Sequence, residues 1–353
     1  MQIFAVIMAG GFGTRFWPAS RKTLPKQFLP IGGKRALIAE TAARLKGLVD
    51  PEHTLVVTGR DHVALVRKFL RKVPPENVLA EPCGRNTAPC VAWAAAELER
   101  RGGTSVQIVL PSDHVIQPAR DFRKLLRAAC EEALETRALC TLGVRPSFPA
   151  TGYGYIEAAE ELGKRSGAAV RRVARFVEKP DRARAEEFLA SGRFFWNAGI
   201  FVWRTDAILA AMELHARDIV TAVRGIRSAA DAERIYPTLP SAPIDVAVME
   251  KADNVRVLPI EFTWSDVGSW AALPEVVPAD AQGNFASGGA SVLAHDSTGC
   301  VVHGKAGEIV ALVGVKDLVV VRAGKALLVM PRERAQDVKH VVTRLEREGP
   351  TFL

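Results

Sequence analysis

A glycine-rich segment near the start of the chain combines tight-turn residues with several cations. Residues 8–34 read MAGGFGTRFWPASRKTLPKQFLPIGGK, and Gly10, Gly11 and Gly13 directly follow an apolar, strand-like run. Glycines let the backbone turn sharply and bring bare N–H groups close to an anionic ligand. A dinucleotide-binding fingerprint would need a further glycine at position 16, where Phe16 stands. The segment therefore predicts a phosphate-binding loop of another kind.

Four cations, Arg15, Arg21, Lys22 and Lys26, give this loop a positive charge. A triphosphate that loses pyrophosphate needs cations where negative charge develops, whereas a bound dinucleotide needs little more than N–H groups. The spacing of a Walker A loop is absent. Phosphoryl or nucleotidyl transfer is the favoured chemistry, and a solvated basic loop is the alternative.

Two aspartates are candidate ligands for a metal ion. Asp113, in LPSDH, directly follows an apolar strand-like run, and Asp266 lies in WSDVGSW. Mg²⁺ takes one or two carboxylates and completes its octahedron with phosphate oxygens, and other divalent metals could take its place. The alternative for each aspartate is an ordinary turn or helix cap.

The elements that must position these residues alternate along the first half of the chain. Continuous apolar or β-branched runs at 3–8, 54–58, 77–81 and 105–111 are typical of strands covered on both faces, and segments with helical spacing lie between them. Alternation of this kind predicts an α/β fold with a Rossmann-like, doubly wound sheet. Such sheets bind ligands beyond the carboxyl ends of their strands.

The pattern changes in the second half. From about residue 150 longer strands broken by Gly and Pro predict a mixed sheet, with helices near 181–190 and 205–216. Turn-punctuated runs from about 288 to 330 predict a small β appendage, closed by the amphipathic segment RERAQDVKHVVTRLERE. We expect a catalytic domain at 1–280 and a second domain at 281–353.

The composition of the chain argues against a nucleic-acid-binding, a disulfide-rich and a membrane-spanning protein. The 353 residues carry a formal net charge of +8, but Lys and Arg are interleaved with acids, which favours small anionic substrates over nucleic acid. The five cysteines form no CxxC pair and are typical of reduced thiols. No apolar run is long enough to span a membrane, and MQIFAVIMAGG is typical of a first strand and not of a signal peptide. We expect a cytoplasmic protein with no membrane partner.

The loop resembles the signature of the sugar-nucleotide pyrophosphorylases, and its Trp17-Pro18-x-Ser20-Arg21 and Pro25-Lys26-Gln27 variants resemble the mannose-1-phosphate guanylyltransferase branch. Further blocks follow in the order of that family and extend the resemblance over essentially the whole chain. These blocks are EPCGRNTAP (81–89), LPSDH (110–114), TGYGYIE (151–157), FVEKP (176–180), WNAGIFVW (196–203) and FTWSDVGSW (262–270).

The resemblance implies a fold, a reaction and a set of roles. The fold would be a nucleotidyltransferase domain with a short left-handed β-helix-like appendage used in homodimer contacts. GTP and mannose 1-phosphate would give GDP-mannose and pyrophosphate, with Arg15, Lys26, Asp113 and Asp266 as the catalytic residues and the two aspartates as ligands of Mg²⁺. A sugar 1-phosphate is already an anionic nucleophile at neutral pH, so the reaction requires no histidine base and no serine or cysteine nucleophile.

The resemblance also implies two sets of binding residues. Nucleotide-binding residues would be Gly10, Gly11, Gly13, Thr14, Arg15, Lys26, Glu81, Arg85, Asn86, Thr87 and Ser112. Sugar-phosphate-binding residues would be Gly152, Glu178, Lys179 and Asn197. Asp245 also matches a family position, with a helix cap as its alternative role, and His114 is interpreted as structural.

Three alternatives to this reaction stay open. Another pyrophosphorylase, with a different nucleotide or with a heptose as its sugar, would use the same loop. A non-catalytic nucleotide-binding regulator of the same fold would not need the metal-binding aspartates. A dehydrogenase is disfavoured by Phe16 and by the cations of the loop.

Overall fold

The computed structural model describes residues 1–11, 13–102 and 104–353, together with the backbone but not the side chain of Pro350. The α-helices are α1 Leu37–Arg44, α2 Val63–Phe69, α3 Thr87–Arg100, α4 Ala119–Thr136, α5 Arg182–Ser191, α6 Thr205–His215, α7 Arg217–Arg224, α8 Ala229–Ile235 and α9 Val338–Glu348. Short 3₁₀ turns lie between them, and Asp245–Met249 forms one turn of π-helix.

The strands occupy the remaining regular segments. They are β1 Ile3–Ala9, β2 Thr54–Gly59, β3 Val78–Glu81, β4 Val106–Pro111, β5 Val115–Gln117, β6 Leu139–Val144, β7 Tyr155–Arg165, β8 Ala168–Val177, β9 Phe194–Arg204, β10 Val255–Ile260, β11 Thr263–Ser265, β12 Phe285–Ser287, β13 Ser291–His295, β14 Val301–His303, β15 Ile309–Val313, β16 Leu318–Ala323 and β17 Ala326–Pro331.

The chain divides into two compact units. The first consists of Met1–Gly10, Arg44–Pro111 and Ile116–Trp264, and the second consists of Gly11–Ala43, Ser112–Val115 and Ser265–Leu353. The second unit thus contains most of the glycine-rich loop as well as the C-terminal strands. The expected boundary at residue 280 stays a prediction.

The first unit is built on one large sheet with the strand order β3-β2-β1-β4-β9-β6-β10-β8-β7. The strands β3, β2, β1 and β4 are parallel, and most apolar side chains of β1, β2 and β4 are buried, whereas burial alternates along β3. The strand β9 runs antiparallel to β4, β6 and β7. The predicted Rossmann-like, mixed α/β sheet is therefore confirmed.

The chain order of these strands reverses between β1 and β4. From β1 the chain moves outward to β2 and β3, and it returns to place β4 on the other side of β1. Open α/β sheets bind ligands beyond the strand ends at such a reversal. Met8 pairs with Pro111 at the carboxyl ends of the two strands, and the glycine-rich loop and Asp113 follow these ends in the sequence.

Strands β12 to β16 of the second unit stack in parallel coils, and β17 pairs antiparallel with β16. Phe285 pairs with Val301 and Val301 pairs with Val319, while Ser291 pairs with Ile309 on a second face. Apolar side chains from successive coils fill the interior, among them Val302, Leu312 and Val320. The predicted β-helix-like appendage is confirmed, and α9 closes it, with Val338 and Val342 buried.

The glycine-rich loop packs on this appendage within the second unit. Phe16 and Trp17 belong to the same apolar cluster as Val301, Val319 and Val338. Trp17 Nε1 donates to the Phe352 carbonyl at 2.9 Å, and the Trp17 carbonyl in turn accepts from Trp270 Nε1 at 3.2 Å. Residues near the C-terminal end of the chain thus hold the loop in place.

Among the described residues, no helix combines the length and the apolar character that crossing a membrane requires.

Candidate active site

Two glycines set the path of the loop after β1. Gly11 and Gly13 have φ values of 87° and 61°, which L side chains rarely adopt. A Cβ on Gly13 would lie 2.4 Å from the Cβ of Lys26, so only glycine fits. Phe12, between these glycines, lies outside the described residues. The Gly13 carbonyl accepts from Phe16 N at 2.9 Å and from Ser20 Oγ at 2.5 Å, which closes the turn.

Lys26 is the centre of a charged cluster in the second unit. It is only 5% exposed, and its Nζ donates to Asp113 Oδ2 at 2.8 Å and to the Asp266 carbonyl at 2.6 Å. The ammonium group also lies 5.4 Å from the centroid of the Phe16 ring. The structure thus brings together three of the four predicted catalytic residues.

Asp113 is held in its ionised form by this cluster. Desolvation raises the pKa of Asp113, but the charges of Lys26 and His114, with hydrogen bonds from Lys26 and the backbone, outweigh it, so the pKa lies below its usual value. The Asp113 side chain remains 34% exposed. A carboxylate that is charged, exposed and fixed at one oxygen can bind a hard cation.

The other cations of the loop divide into two groups. Arg15 is exposed, and among the described contacts its side chain has no hydrogen bond or ion pair. The side chain of its exposed neighbour Thr14 has none either. Arg21 Nη1 instead donates to the Phe352 carbonyl at 2.8 Å, and Lys22 Nζ lies 3.8 Å from Glu346 Oε1. Arg21 and Lys22 therefore tie the loop to the C-terminal segment, and Arg15 remains available for a ligand.

Ser112 contributes its backbone and not its hydroxyl to the described network of the second unit. It is 1% exposed, and its carbonyl accepts from Thr41 Oγ1 at 3.1 Å. This bond anchors the segment that carries Asp113 to α1.

The predicted base-binding residues lie in the first unit, between β3 and α3. Arg85 Nη2 donates to the Pro237 carbonyl, Asn86 Oδ1 accepts from Thr87 N at 2.9 Å, and Thr87 Oγ1 accepts from Ile244 N at 2.8 Å. These three side chains therefore shape the loop. Glu81 differs, since its buried carboxylate has only one partner among the described contacts, the Tyr236 hydroxyl.

The predicted sugar-binding residues also lie in the first unit. Asn197 Nδ2 donates to Asp245 Oδ1 at 2.7 Å, and its Oδ1 accepts from Thr141 Oγ1 at 2.9 Å and from Gly199 N at 3.1 Å. The half-buried amide thus finds hydrogen-bond partners within the protein, which offsets the cost of removing it from water. One N–H of the amide has no described partner and remains available to a ligand.

Glu178 and Lys179 form an ion pair at the end of β8, and Lys179 adopts a φ of 44°. A Cβ on Gly154 would lie 2.8 Å from Glu178 Oε2, so this glycine lets the carboxylate approach the backbone. Gly152 has open space around its Cα and could face a ligand.

The sequence left two roles open for Asp245, a residue of the binding site or a helix cap. It bonds to Asn197, and burial, followed by the charge of Glu178, raises its pKa to about 6. It begins a turn of π-helix, a distortion that is frequent at functional sites. In the sequence, only the resemblance of its segment to the family indicated a role for Asp245. No feature of the sequence indicated Tyr236, whose hydroxyl contacts Glu81.

Few side chains are arranged to act as ligands of a metal ion. Among residues 1–11, 13–102 and 104–353, no group of three or more His, Cys, Asp or Glu side chains is arranged to hold a metal ion. At the Lys26 ammonium group, Asp113 contributes its carboxylate and Asp266 its backbone carbonyl. Carboxylate and carbonyl oxygens, completed by phosphate oxygens, are ligands of the kind that Mg²⁺ takes.

Comparison with known proteins supports the same interpretation. Residues 4–283 match the family model described as nucleotidyl transferase, and residues 290–345 match the model described as MannoseP isomerase/GMP-like beta-helix domain. A protein of Klebsiella pneumoniae described as mannose-1-phosphate guanylyltransferase is 41% identical over 98% of this chain and 74% of its own length. The alginate biosynthesis protein AlgA of Pseudomonas aeruginosa is 40% identical over 98% of this chain and 72% of its own length.

A solved structure is similar over nearly the whole chain. The crystal structure described as mannose-1-phosphate geranyltransferase from Thermus thermophilus has a TM-score of 0.90 and 38% identity, and it covers 98% of this chain and 100% of its own. The sequence-based assignment is confirmed, and the chain belongs to the nucleotidyl transferase family.

Proposed function

We propose that the protein transfers GMP from GTP to mannose 1-phosphate and forms GDP-mannose and pyrophosphate. The supporting observation is the cluster of Lys26, Asp113 and Asp266, with an exposed Arg15 in the same loop as Lys26, in a chain about 40% identical over nearly its whole length to proteins named for this reaction. Cations and an oxygen-ligated metal are what a reaction between two phosphate anions needs.

In the proposed reaction a phosphate oxygen of mannose 1-phosphate attacks the α-phosphorus of GTP in line, and the bond to the pyrophosphate oxygen breaks. Arg15 binds the departing pyrophosphate. Lys26 exchanges its contact with Asp113 for one with an α-phosphate oxygen. Its bond to the Asp266 carbonyl keeps the ammonium group in place during this exchange. The nucleophile is an anion, so no general base takes part.

Asp113 and Asp266 would hold Mg²⁺, or another divalent cation, by their carboxylates. The ion would neutralise charge on the phosphates of both substrates. Glu178 and Asn197 would bind sugar hydroxyls, and Lys179 would bind the sugar phosphate. Gly10, Gly11, Gly13 and Thr14 would present backbone N–H groups to the triphosphate.

The first experiment measures pyrophosphate release with Mg²⁺ for GTP, ATP, UTP and dTTP against mannose, glucose and heptose 1-phosphates. We expect release with GTP and mannose 1-phosphate only. Release with another pair would refute the assignment of base and sugar and would keep the reaction class. GTP binding without release from any pair would support the regulator in place of the enzyme.

Arg15→Ala tests the role of the loop in the same assay. Turnover should fall by about 10²–10³, the usual loss for one charge-stabilising group. The melting temperature should not change, because Arg15 is exposed and its side chain makes no described contact. Arg217→Ala, at an exposed arginine on α7, is the matched control. Turnover of Arg15→Ala equal to that of this control would refute the role.

The β13–β15 face supports a further proposal, that the chain forms a homodimer. Leu293, Ile309 and Val313 point to one side of this strand pair and are 60%, 66% and 68% exposed. Apolar patches of this kind mark interaction surfaces. Light scattering should give the mass of two chains, and Leu293→Lys with Val313→Lys should give that of one. A wild-type monomer would refute the proposal.

The cytoplasm is the proposed location. The substrate GTP is present there, and the cysteines of the described residues are unpaired thiols, as expected in a reducing compartment.

A further inference from the structure

A buried carboxylate ends β3 in the first unit. Glu81 is only 7% exposed, and a carboxylate removed from water is costly unless it has polar partners. The Tyr236 hydroxyl donates to Glu81 Oε1. Among the described contacts Oε2 has no hydrogen-bond partner, so half of this carboxylate remains available.

The unpartnered oxygen lies close to Gly10, the residue that follows β1. A Cβ on Gly10 would lie 3.8 Å from Glu81 Oε2, and Gly10 itself is exposed. Because Gly10 has no side chain, nothing of that residue covers the oxygen. A planar ligand edge that carries N–H groups can therefore reach Oε2 past Gly10.

Tyr236 is fixed in place and keeps its proton. Its side chain is fully buried, and its ring lies 5.3 Å from that of Trp93. Burial and the neighbouring charge of Glu81 raise the pKa of Tyr236 far above its usual value, so the hydroxyl acts as a donor at all working pH values. The next residue, Pro237, accepts from Arg85 of the same loop.

We propose that Tyr236 is a positioning residue that holds Glu81 to accept hydrogen bonds from the donor edge of guanine, N1–H and the 2-amino group. This inference rests on the proposed function. Guanine alone among the common nucleic-acid bases offers both donors side by side, and a single fixed carboxylate complements them. Adenine presents an acceptor at N1, which the carboxylate repels.

Tyr236 also affects the charge of Glu81. Burial raises the pKa of Glu81, and the hydrogen bond from Tyr236 lowers it. The other titratable groups that act on this pair are the thiols of Cys83 and Cys90. Loss of the tyrosine hydroxyl therefore both frees the carboxylate to rotate and favours its neutral form, which accepts hydrogen bonds more weakly.

The test compares GTP with ITP, which lacks the 2-amino group, in the pyrophosphate assay with mannose 1-phosphate. We expect the wild type to prefer GTP at least about tenfold in kcat/KM, the usual value of a hydrogen bond to a charged group. Tyr236→Phe should reduce this preference by about fivefold or more, mainly through KM for GTP. Glu81→Gln should do the same, and the double variant should lose little more than either single variant.

Tyr155→Phe is the matched control. Tyr155 is also fully buried in the first unit, and its hydroxyl has no described partner, so the preference for GTP should not change. An unchanged GTP/ITP ratio in Tyr236→Phe would overturn the inference. If that variant does not fold, an unchanged ratio in Glu81→Gln overturns it. Absence of turnover in the wild type would instead refute the proposed function.

Discussion

Gly13→Ala should damage the loop because the added methyl group has no space. Its Cβ would lie 2.4 Å from the Cβ of Lys26, whereas carbon atoms pack at about 3.5–4.0 Å. Either residue 13 or Lys26 must therefore move by about 1 Å or more. Residue 13 also adopts a φ of 61°, which is strained for alanine.

The strained backbone conformation and the steric overlap each lower the free energy of unfolding by a typical amount. The left-handed conformation costs roughly 1–2 kcal/mol for a residue with a Cβ. Overpacking costs roughly 1–3 kcal/mol more. We therefore expect the second unit to lose about 2–5 kcal/mol of stability. A shift of Lys26 by about 1 Å should also lower turnover by about 10²-fold, since its Nζ is placed by bonds of 2.8 and 2.6 Å.

The assay combines pyrophosphate release with thermal unfolding. Gly47→Ala is the matched control, because Gly47 has a φ of 84° but no atom within 4 Å of the added Cβ. This control should lose only the conformational contribution of about 1–2 kcal/mol and should keep its turnover. Gly13→Ala with turnover and melting temperature like those of Gly47→Ala would refute the steric argument.

Two predictions concern pH. Asp245 has a pKa of about 6, above its value of about 3.9 in the unfolded chain, so its ionised form destabilises the fold at higher pH. Asp245→Asn should stabilise the protein by about 1–2 kcal/mol at about pH 8, with a gain that shrinks as the pH falls through about 6 towards 4; a gain independent of pH would contradict this. His303 has a pKa lowered by burial to about 4, so stability should fall between about pH 6.5 and 4, by up to about 3 kcal/mol. His303→Gln should flatten that fall in melting temperature, and an equally steep fall in the variant would exclude His303 as its cause.

Much of the fold followed from local patterns. The runs predicted at 3–8 and 54–58 correspond to strands at Ile3–Ala9 and Thr54–Gly59, because parallel strands buried on both faces are continuously apolar. The predicted closing helix begins as a 3₁₀ turn and is α-helical only over Val338–Glu348. The strand order of the large sheet could not be predicted, since it depends on pairings between distant segments.

The site was predictable only in part. The resemblance grouped Lys26 with Asp113 and Asp266, and the structure joins them through one ammonium group. Arg21 and Lys22 looked like phosphate-binding cations as well, but they contact the C-terminal segment instead. No local pattern distinguishes these two uses of a cation, because the partners lie at the far end of the sequence.

The attachment of the loop to the C-terminal segment has a consequence for synthesis. A ribosome makes the glycine-rich loop first, but Lys26 acquires its carbonyl partner only when Asp266 has emerged, and Trp17 meets Phe352 later still. The loop therefore completes these contacts only after Phe352 has been made. A nascent chain that already contains all strands of the large sheet, the last of which ends at Ile260, still lacks the contacts that hold the glycine-rich loop.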